Sequence, residues 1–224
     1  MMSNLMTSIS LAMNHFSVYA VIFTIPLIAL QLGRRKLNVV RLGVNYAFLL
    51  YVLCVISLVF FPLPTMTNAM PQAGYGIQMQ PFQFVSDIIR RTPFVWNQPR
   101  TYFPALLEWA VLQVVFNVIM MVPLGMYLRF NFHLKGRTVA IASFLFSCFI
   151  EFGQMTGLFF LFPQAYRLGD VDDLILNTLG GLIGCGVMCL AEKWFHISRK
   201  LEKFDIMTEG STFFPCITLH NLLQ

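Results

Sequence analysis

Residues 171–194 read VDDLILNTLGGLIGCGVMCLAEKW, and this stretch decides the fold. It has no charged residue between Leu174 and Ala191. A helix that crosses the hydrocarbon core of a bilayer needs about 20 predominantly apolar residues, whereas strands are shorter and alternate with a period of two. The stretch is therefore a candidate transmembrane helix.

Four further runs share this apolar character, at about residues 16–32, 42–61, 105–128 and 138–162. The chain of 224 residues is 57% apolar and 11% charged, whereas soluble domains are roughly 45–50% apolar and about 25% charged. This composition excludes a soluble globular protein, and the sequence has no clustered basic patch for nucleic acid. We predict an all-α fold, a polytopic integral membrane bundle of about five transmembrane helices.

Basic residues predict the orientation, because cytoplasmic loops carry an excess of Lys and Arg. Eleven of the fifteen lie after run one, between runs three and four, or after run five: Arg34, Arg35, Lys36, Arg41, Arg129, Lys135, Arg137, Lys193, Arg199, Lys200 and Lys203. The N-terminus is therefore expected outside and the C-terminus in the cytoplasm, with the connection 62–104 facing outward. Residues 1–15 lack the features of a secretory signal, so we expect the first run to be retained.

Polar side chains inside spanning helices are the candidate functional residues. An ionisable group near the bilayer centre costs at least about 2.5–3.5 kcal/mol, so it must face protein or water. The runs carry six such polar residues: Glu108, Gln113, Asn117, Glu151, Gln154 and Asn177. Residues three or four apart share a helix face, which groups Gln113 with Asn117 and Glu151 with Gln154. For the amides, hydrogen bonding between helices is the simpler role.

Helical phase sorts the acids at the start of the last run. Asp170 and Asp173 share a stripe with Asn177, Gly180 and Gly184, so we expect this stripe to face the bundle. The neighbouring Asp172 points to the opposite side, where we expect it to meet water or headgroups. Capping of the helix is an alternative role for Asp170. The Gly-xxx-Gly spacing lets helix backbones approach closely.

Four sequence elements follow one another between residues 81 and 180: Pro81-Phe82; Asn117 with Pro123-Leu124-Gly125; Glu151-x-x-Gln154; and Arg167 with Asp170-x-Asp172-Asp173-x-x-x-Asn177-Thr178-x-Gly180. Their order and spacing resemble the VanZ-like family of bacterial membrane proteins, whose namesake is associated with teicoplanin resistance. We divide the chain accordingly into 1–76, an N-terminal region with two transmembrane helices, 77–194, a VanZ-like core with three, and 195–224, a cytoplasmic tail.

The resemblance implies a multi-pass protein of the bacterial cytoplasmic membrane that acts at the cell envelope and contributes to glycopeptide (teicoplanin) resistance. It implies no reaction. Membrane lipids are the expected partners, and a lipid-linked cell-wall precursor or the glycopeptide itself remain open. The alternative is a membrane-embedded enzyme that acts on a lipid-linked or headgroup substrate from the outer leaflet. A transporter is less favoured, because no inverted repeat is visible.

The candidate site residues divide by chemistry. Glu151, Asp170 and Asp173 are the catalytic candidates, since a buried carboxyl group could transfer a proton. The binding candidates are Asn117, Gln154, Arg167 and Asn177, of which Arg167 could pair a phosphate with two hydrogen bonds. Asp170 and Asp173 could instead hold a divalent cation. However, two acids one helical turn apart are common, so we predict no metal site and no cofactor.

Overall fold

The computed structural model describes residues 36–60, 77–162, 169–197 and 205–207, with seven isolated positions between residues 6 and 29. The first predicted spanning run, 16–32, lies outside the described residues apart from five of those positions, which are helical. Arg167 and most of the predicted tail, 195–224, also lie outside them. The orientation across the membrane therefore stays a prediction.

The described helices, in chain order, are α1 (Val39–Phe60), α2 (Gln83–Arg91), α3 (Tyr102–Leu106), α4 (Trp109–Phe132), α5 (Gly136–Met155), α6 (Gly157–Phe160) and α7 (Val171–Phe195), with a 3-10 turn at Pro99–Thr101. Four of them, α1, α4, α5 and α7, are long and apolar enough to cross a membrane, with mean hydropathy from 1.5 to 2.2. The predicted all-α fold class is confirmed, and these four helices correspond to the second to fifth predicted runs.

Two short strand pairs accompany the helices. β1 (Lys36–Asn38) pairs antiparallel with β4 (Asp205–Met207). β2 (Ile77–Gln78) pairs in parallel with β3 (Gly169–Asp170), with Gln78 opposite Asp170. The second pair holds the segment that precedes α2 beside the segment that precedes α7.

The chain forms two units, Met1–Leu58 with Ala191–Gln224, and Val59–Leu190. The first unit contains the β1–β4 pair and a hydrogen bond between the hydroxyls of Thr24 and Tyr46. The second contains α2 to α6, most of α7 and every candidate site residue that the structure describes. Its fold therefore determines the geometry of the site.

Glycines bring α4 and α7 into backbone contact. A Cβ atom at Gly180 would lie 2.2 Å from the carbonyl oxygen of Val118, and one at Gly184 would lie 2.0 Å from that of Val122. These distances are shorter than any real contact of a methyl group, so only glycine fits. The close approach predicted from the Gly-xxx-Gly spacing is confirmed.

The fourth predicted run was expected to reach residue 162, but α5 ends at Met155. The Thr156 hydroxyl accepts a hydrogen bond from the Phe159 backbone N–H at 3.1 Å, and all four residues of α6 have positive φ. The Phe159 ring then packs on Phe149, with centroids 4.8 Å apart. The residues of this left-handed turn, which aromatic contacts stabilise, are as apolar as those of a spanning helix. Hydropathy therefore extended the predicted helix past Met155 to residue 162.

Candidate functional site

Asp170 joins the last turns of α5 to the first turn of α7. Its backbone N–H donates to Oε2 of the buried Glu151 at 3.1 Å. Its own Oδ1 accepts the backbone N–H of Asp172 at 2.8 Å, which is the hydrogen bond that an N-cap carboxylate makes with the second helical residue. Asp170 therefore caps α7, the alternative role considered from the sequence, while Glu151 fixes the backbone of the cap.

Asp172 is buried, with only 2% of its surface exposed. Its Oδ1 accepts the backbone N–H of Phe82 at 2.6 Å, and its Oδ2 accepts that of Phe84 at 2.9 Å. The prediction that Asp172 meets water or headgroups is wrong. Helical phase placed it correctly away from the stripe of Asp170 and Asp173, but the first turn of α2 covers that side.

The start of α2 explains why this carboxylate is needed. Phe82, the N-cap residue, has no polar side chain to bind the free N–H groups of the first turn, and its φ of 64° is left-handed. Such backbone conformations persist only where surrounding contacts hold them. The negative charge of Asp172 also favours the positive end of the helix dipole. A residue of α7 thus acts as the cap of α2.

Asp173 faces the bundle, as helical phase predicted, and its partner there is α4. The side-chain amide of Asn117 donates to Oδ1 of Asp173, so a binding candidate and a catalytic candidate are in direct contact. Gln113, one turn before Asn117 on α4, faces the same region and lines a pocket with Asp170 and Asp173. The shared face predicted for Gln113 and Asn117 is confirmed.

Gln154 and Asn177 are buried but lie apart from this contact. The Gln154 Nε2 donates to the backbone carbonyl of Val59 at 3.1 Å. That carbonyl belongs to the last turn of α1, where helices leave carbonyls without an internal partner. The Asn177 Nδ2 donates to the Ser147 hydroxyl of α5 at 2.8 Å. Both amides act here as links between helices.

A pocket of about 80 Å³ opens where α4 and α7 begin. Its walls come from β2, α2, the first turns of α4 and the first turns of α7. The lining is largely polar. Its polar residues are Gln78, Gln83, Asp87, Arg91, Gln113, Asp170, Asp172 and Asp173, and its apolar residues are Phe84, Trp109, Ala110, Val114 and Leu176. Asp87 and Arg91 form an ion pair on this wall, with an N···O distance of 3.5 Å.

The predicted candidates are thus only partly brought together. Asp170 and Asp173 line the pocket, Asn117 contacts Asp173, and Glu151 lies behind Asp170, whereas Arg167 lies outside the described residues. Glu108 is the half-buried N-cap residue of α4. Among the described residues, no three His, Cys, Asp or Glu side chains gather as a metal site requires.

Sequence reasoning missed the contribution of α2 to the pocket wall, made by Gln83, Asp87 and Arg91. The signal was present, because these residues recur every four positions and so lie on one helix face. These residues belong to a helix of only nine residues within the long connection 62–104. The sequence of that connection as a whole shows poor helical periodicity. The helix could have been found only by examining residues 82–91 separately.

Long apolar helices around a polar pocket define a helical membrane protein. The family model VanZ/LLP1 matches residues 48–192, more than half of the 224 residues, and the chain belongs to this family. The VanZ-like resemblance is therefore confirmed, and the matched region contains every candidate site residue. No curated protein matches the chain. No solved structure matches it either.

Proposed function

We propose that this VanZ-family membrane protein acts at the bacterial cell envelope, as a multi-pass protein of the cytoplasmic membrane, and contributes to glycopeptide (teicoplanin) resistance. Its pocket would bind the polar head of a membrane lipid or of a lipid-linked cell-wall precursor. One observation carries this proposal: the polar pocket lies where α4 and α7 begin, and we expect the ends of spanning helices at the level of the lipid headgroups.

The size of the pocket supports a headgroup over the antibiotic. Pockets that enclose a drug-sized ligand measure roughly 300–1,000 Å³, whereas this pocket has about 80 Å³. It has room for a few water molecules or a small polar group. A glycopeptide is far larger, so we expect any effect on teicoplanin to act through the lipid or precursor.

The second candidate function is an enzyme that acts on a lipid-linked or headgroup substrate from the outer leaflet. The observation in its favour is that Asp170 and Asp173 both line the pocket. One of these carboxyl groups would contact the substrate as general acid or base. Glu151 accepts a hydrogen bond from the backbone N–H of Asp170 and is not among the residues that line the pocket. It would therefore act as a positioning residue for Asp170.

Replacing a carboxylate by the corresponding amide removes the negative charge of the side chain and keeps its shape and one acceptor oxygen. In Glu151→Gln the amide oxygen still accepts the Asp170 N–H, and in Asp173→Asn the amide oxygen still accepts from Asn117. Both variants should therefore fold and insert. Gly186→Ala is the matched control, because a Cβ atom at Gly186 meets nothing within 4 Å.

The test is expression of each variant in a sensitive bacterium, with measurement of teicoplanin and vancomycin inhibition and profiling of lipids and cell-wall precursors. The proposal expects wild type and Gly186→Ala to raise the inhibitory concentration of teicoplanin, and Asp173→Asn to lose this effect. No change in either antibiotic with wild type would refute the resistance role. A precursor or lipid that is chemically altered by wild type, and not by Asp173→Asn, would favour the enzyme.

A further inference from the structure

The amphipathic helix α2 leaves part of its apolar side exposed, while Phe84 and Ile88 on that side are half-buried. Val85 and Ile89 share one face of the helix, because residues four apart are neighbours, and the N-cap residue Phe82 precedes them. All three are exposed, by 60%, 43% and 73% respectively. Large apolar side chains that share one exposed helix face indicate an interaction surface.

The opposite face of α2 is polar and borders the pocket, with the Arg91 side chain still exposed. Gln83, Asp87 and Arg91 lie on it and line the pocket. In a soluble protein a surface helix has the reverse arrangement, with its apolar stripe against the core and its polar face in water. The exposed apolar side chains of α2 therefore favour an apolar medium outside the helix.

The exposed apolar surface continues beyond α2 to the start of α4. Trp96, Phe103, Leu106 and Trp109 are all more than half exposed. Trp is enriched at the boundary between bilayer and water, where its ring lies at the level of the headgroups. Since Trp109 is the first residue of the spanning helix α4, this surface lies at the boundary of the hydrocarbon core.

Charge distinguishes a lipid surface from a second copy of the chain. Between Gln83 and Thr101 there are three arginines, Arg90, Arg91 and Arg100, and one acid, Asp87. Arg90 and Arg100 are exposed. Two copies facing each other would bring these like charges together, whereas lipid phosphates complement them.

We infer that α2 lies in the membrane plane at the headgroup–acyl boundary of one leaflet, with Phe82, Val85 and Ile89 inserted among the lipids. The partner is an anionic phospholipid surface, which Arg90 and Arg100 contact through its phosphates. By the predicted orientation this is the outer leaflet. The inference goes beyond the proposed function, because it concerns the outer face of α2 and holds whatever the pocket binds.

The experiment places a single Trp at position 89 in the full-length protein, in nanodiscs of phosphatidylcholine and phosphatidylglycerol. Trp96, Trp109 and Trp194 are replaced by Phe, and Ile89→Trp is compared with Lys135→Trp in the same background. Lys135 is the control position, because it is exposed in the short turn between two spanning helices. Emission is measured with lipids brominated in the acyl chain and, separately, with aqueous iodide.

We expect brominated lipids to reduce the emission of Ile89→Trp by about two-fold while iodide has little effect, as for a side chain inserted below the headgroups. Lys135→Trp should respond in the opposite way. Quenching of Ile89→Trp by iodide alone would overturn the inference. So would protection from both quenchers, which is the result expected if a second copy covers the face.

A second measurement keeps the inference testable if the three Trp→Phe changes prevent folding. Ile89→Cys in the otherwise unchanged chain is labelled with an environment-sensitive fluorophore, and the unsubstituted protein treated identically provides the blank. Emission above the blank that shifts to the blue and is quenched by brominated lipids supports insertion of α2. Emission characteristic of water refutes it.

Discussion

Asp172 accepts the backbone N–H of Phe82 at 2.6 Å, although the two residues are 90 positions apart in the sequence. With the second hydrogen bond to Phe84, this contact binds α2 to the first turn of α7. Nothing in the side chains of Phe82 or Phe84 could make such a contact with a carboxylate. Asp172 therefore fixes the first turn of α2 over the pocket, in addition to the β2–β3 pair that precedes the helix.

Asp172→Asn should release the first turn of α2. An amide offers one acceptor oxygen instead of two and turns an NH₂ group toward a backbone N–H. Hydrogen bonds to a charged partner contribute roughly 1.5–3 kcal/mol, so we expect a loss of that order in the docking of α2. Limited trypsin digestion of the purified protein should then cut faster after Arg90 and Arg91.

Asp87→Asn is the control for that experiment, because it removes only a partly exposed ion pair with Arg91. Such pairs contribute about 0–1 kcal/mol, so its cleavage rate should stay near that of wild type. Equal cleavage of wild type and Asp172→Asn would show that α2 is held by other contacts.

Asp170 should tolerate Asn far better than Ala. Asn caps helices about as well as Asp, whereas substitution by Ala costs roughly 0.5–2 kcal/mol. We therefore expect Asp170→Ala to lower the melting temperature in detergent and Asp170→Asn to leave it nearly unchanged. The Asn variant then becomes informative for function, because a lost phenotype in a stable protein reports on the carboxylate. A large loss of stability in Asp170→Asn would contradict the capping role.

Gly184→Ala should separate α4 from α7. The added methyl group would lie 2.0 Å from the Val122 carbonyl oxygen, and overpacking of this kind costs typically about 1–3 kcal/mol. Gly186→Ala, two residues further along α7, meets open space and should be neutral or stabilising by up to about 1 kcal/mol. The melting temperatures of the two variants are compared by thermal unfolding in detergent. Similar values would show that separating α4 from α7 costs no measurable stability.

Gln154→Leu should destabilise the protein through the last turn of α1. The substitution leaves the Val59 carbonyl without its side-chain donor, and an unsatisfied buried acceptor costs about 1–3 kcal/mol. Gln113→Leu is the matched control, because among the described contacts Gln113 makes no hydrogen bond and is only half-buried. We expect a lower melting temperature for Gln154→Leu alone. If Gln113→Leu is equally destabilising, the loss is not specific to the Val59 contact.

Features that repeat along one helix could be predicted from the sequence. The four described spanning helices followed from apolar length, and the inward orientation of Gly180, Gly184 and Asp173 followed from helical phase, whereas their partner α4 did not. The role of Asp172 could not be predicted, because its partners are backbone N–H groups, which every residue except proline has. The turn after Met155 was missed because its packing is aromatic and its composition is that of a spanning helix.

The backbone contact of α4 and α7 also restricts how the protein can move. The carbonyls of Val118 and Val122 fit against Gly180 and Gly184, and turning α7 by one residue about its axis would press Ile183 or Cys185 on the carbonyl of Val122. We therefore expect the two helices to move together. Asp173 and Asn117 belong to this pair of helices, whereas α2 is joined to it through Asp172. We therefore expect any change in the width of the pocket to come from α2 rather than from a separation of α4 and α7.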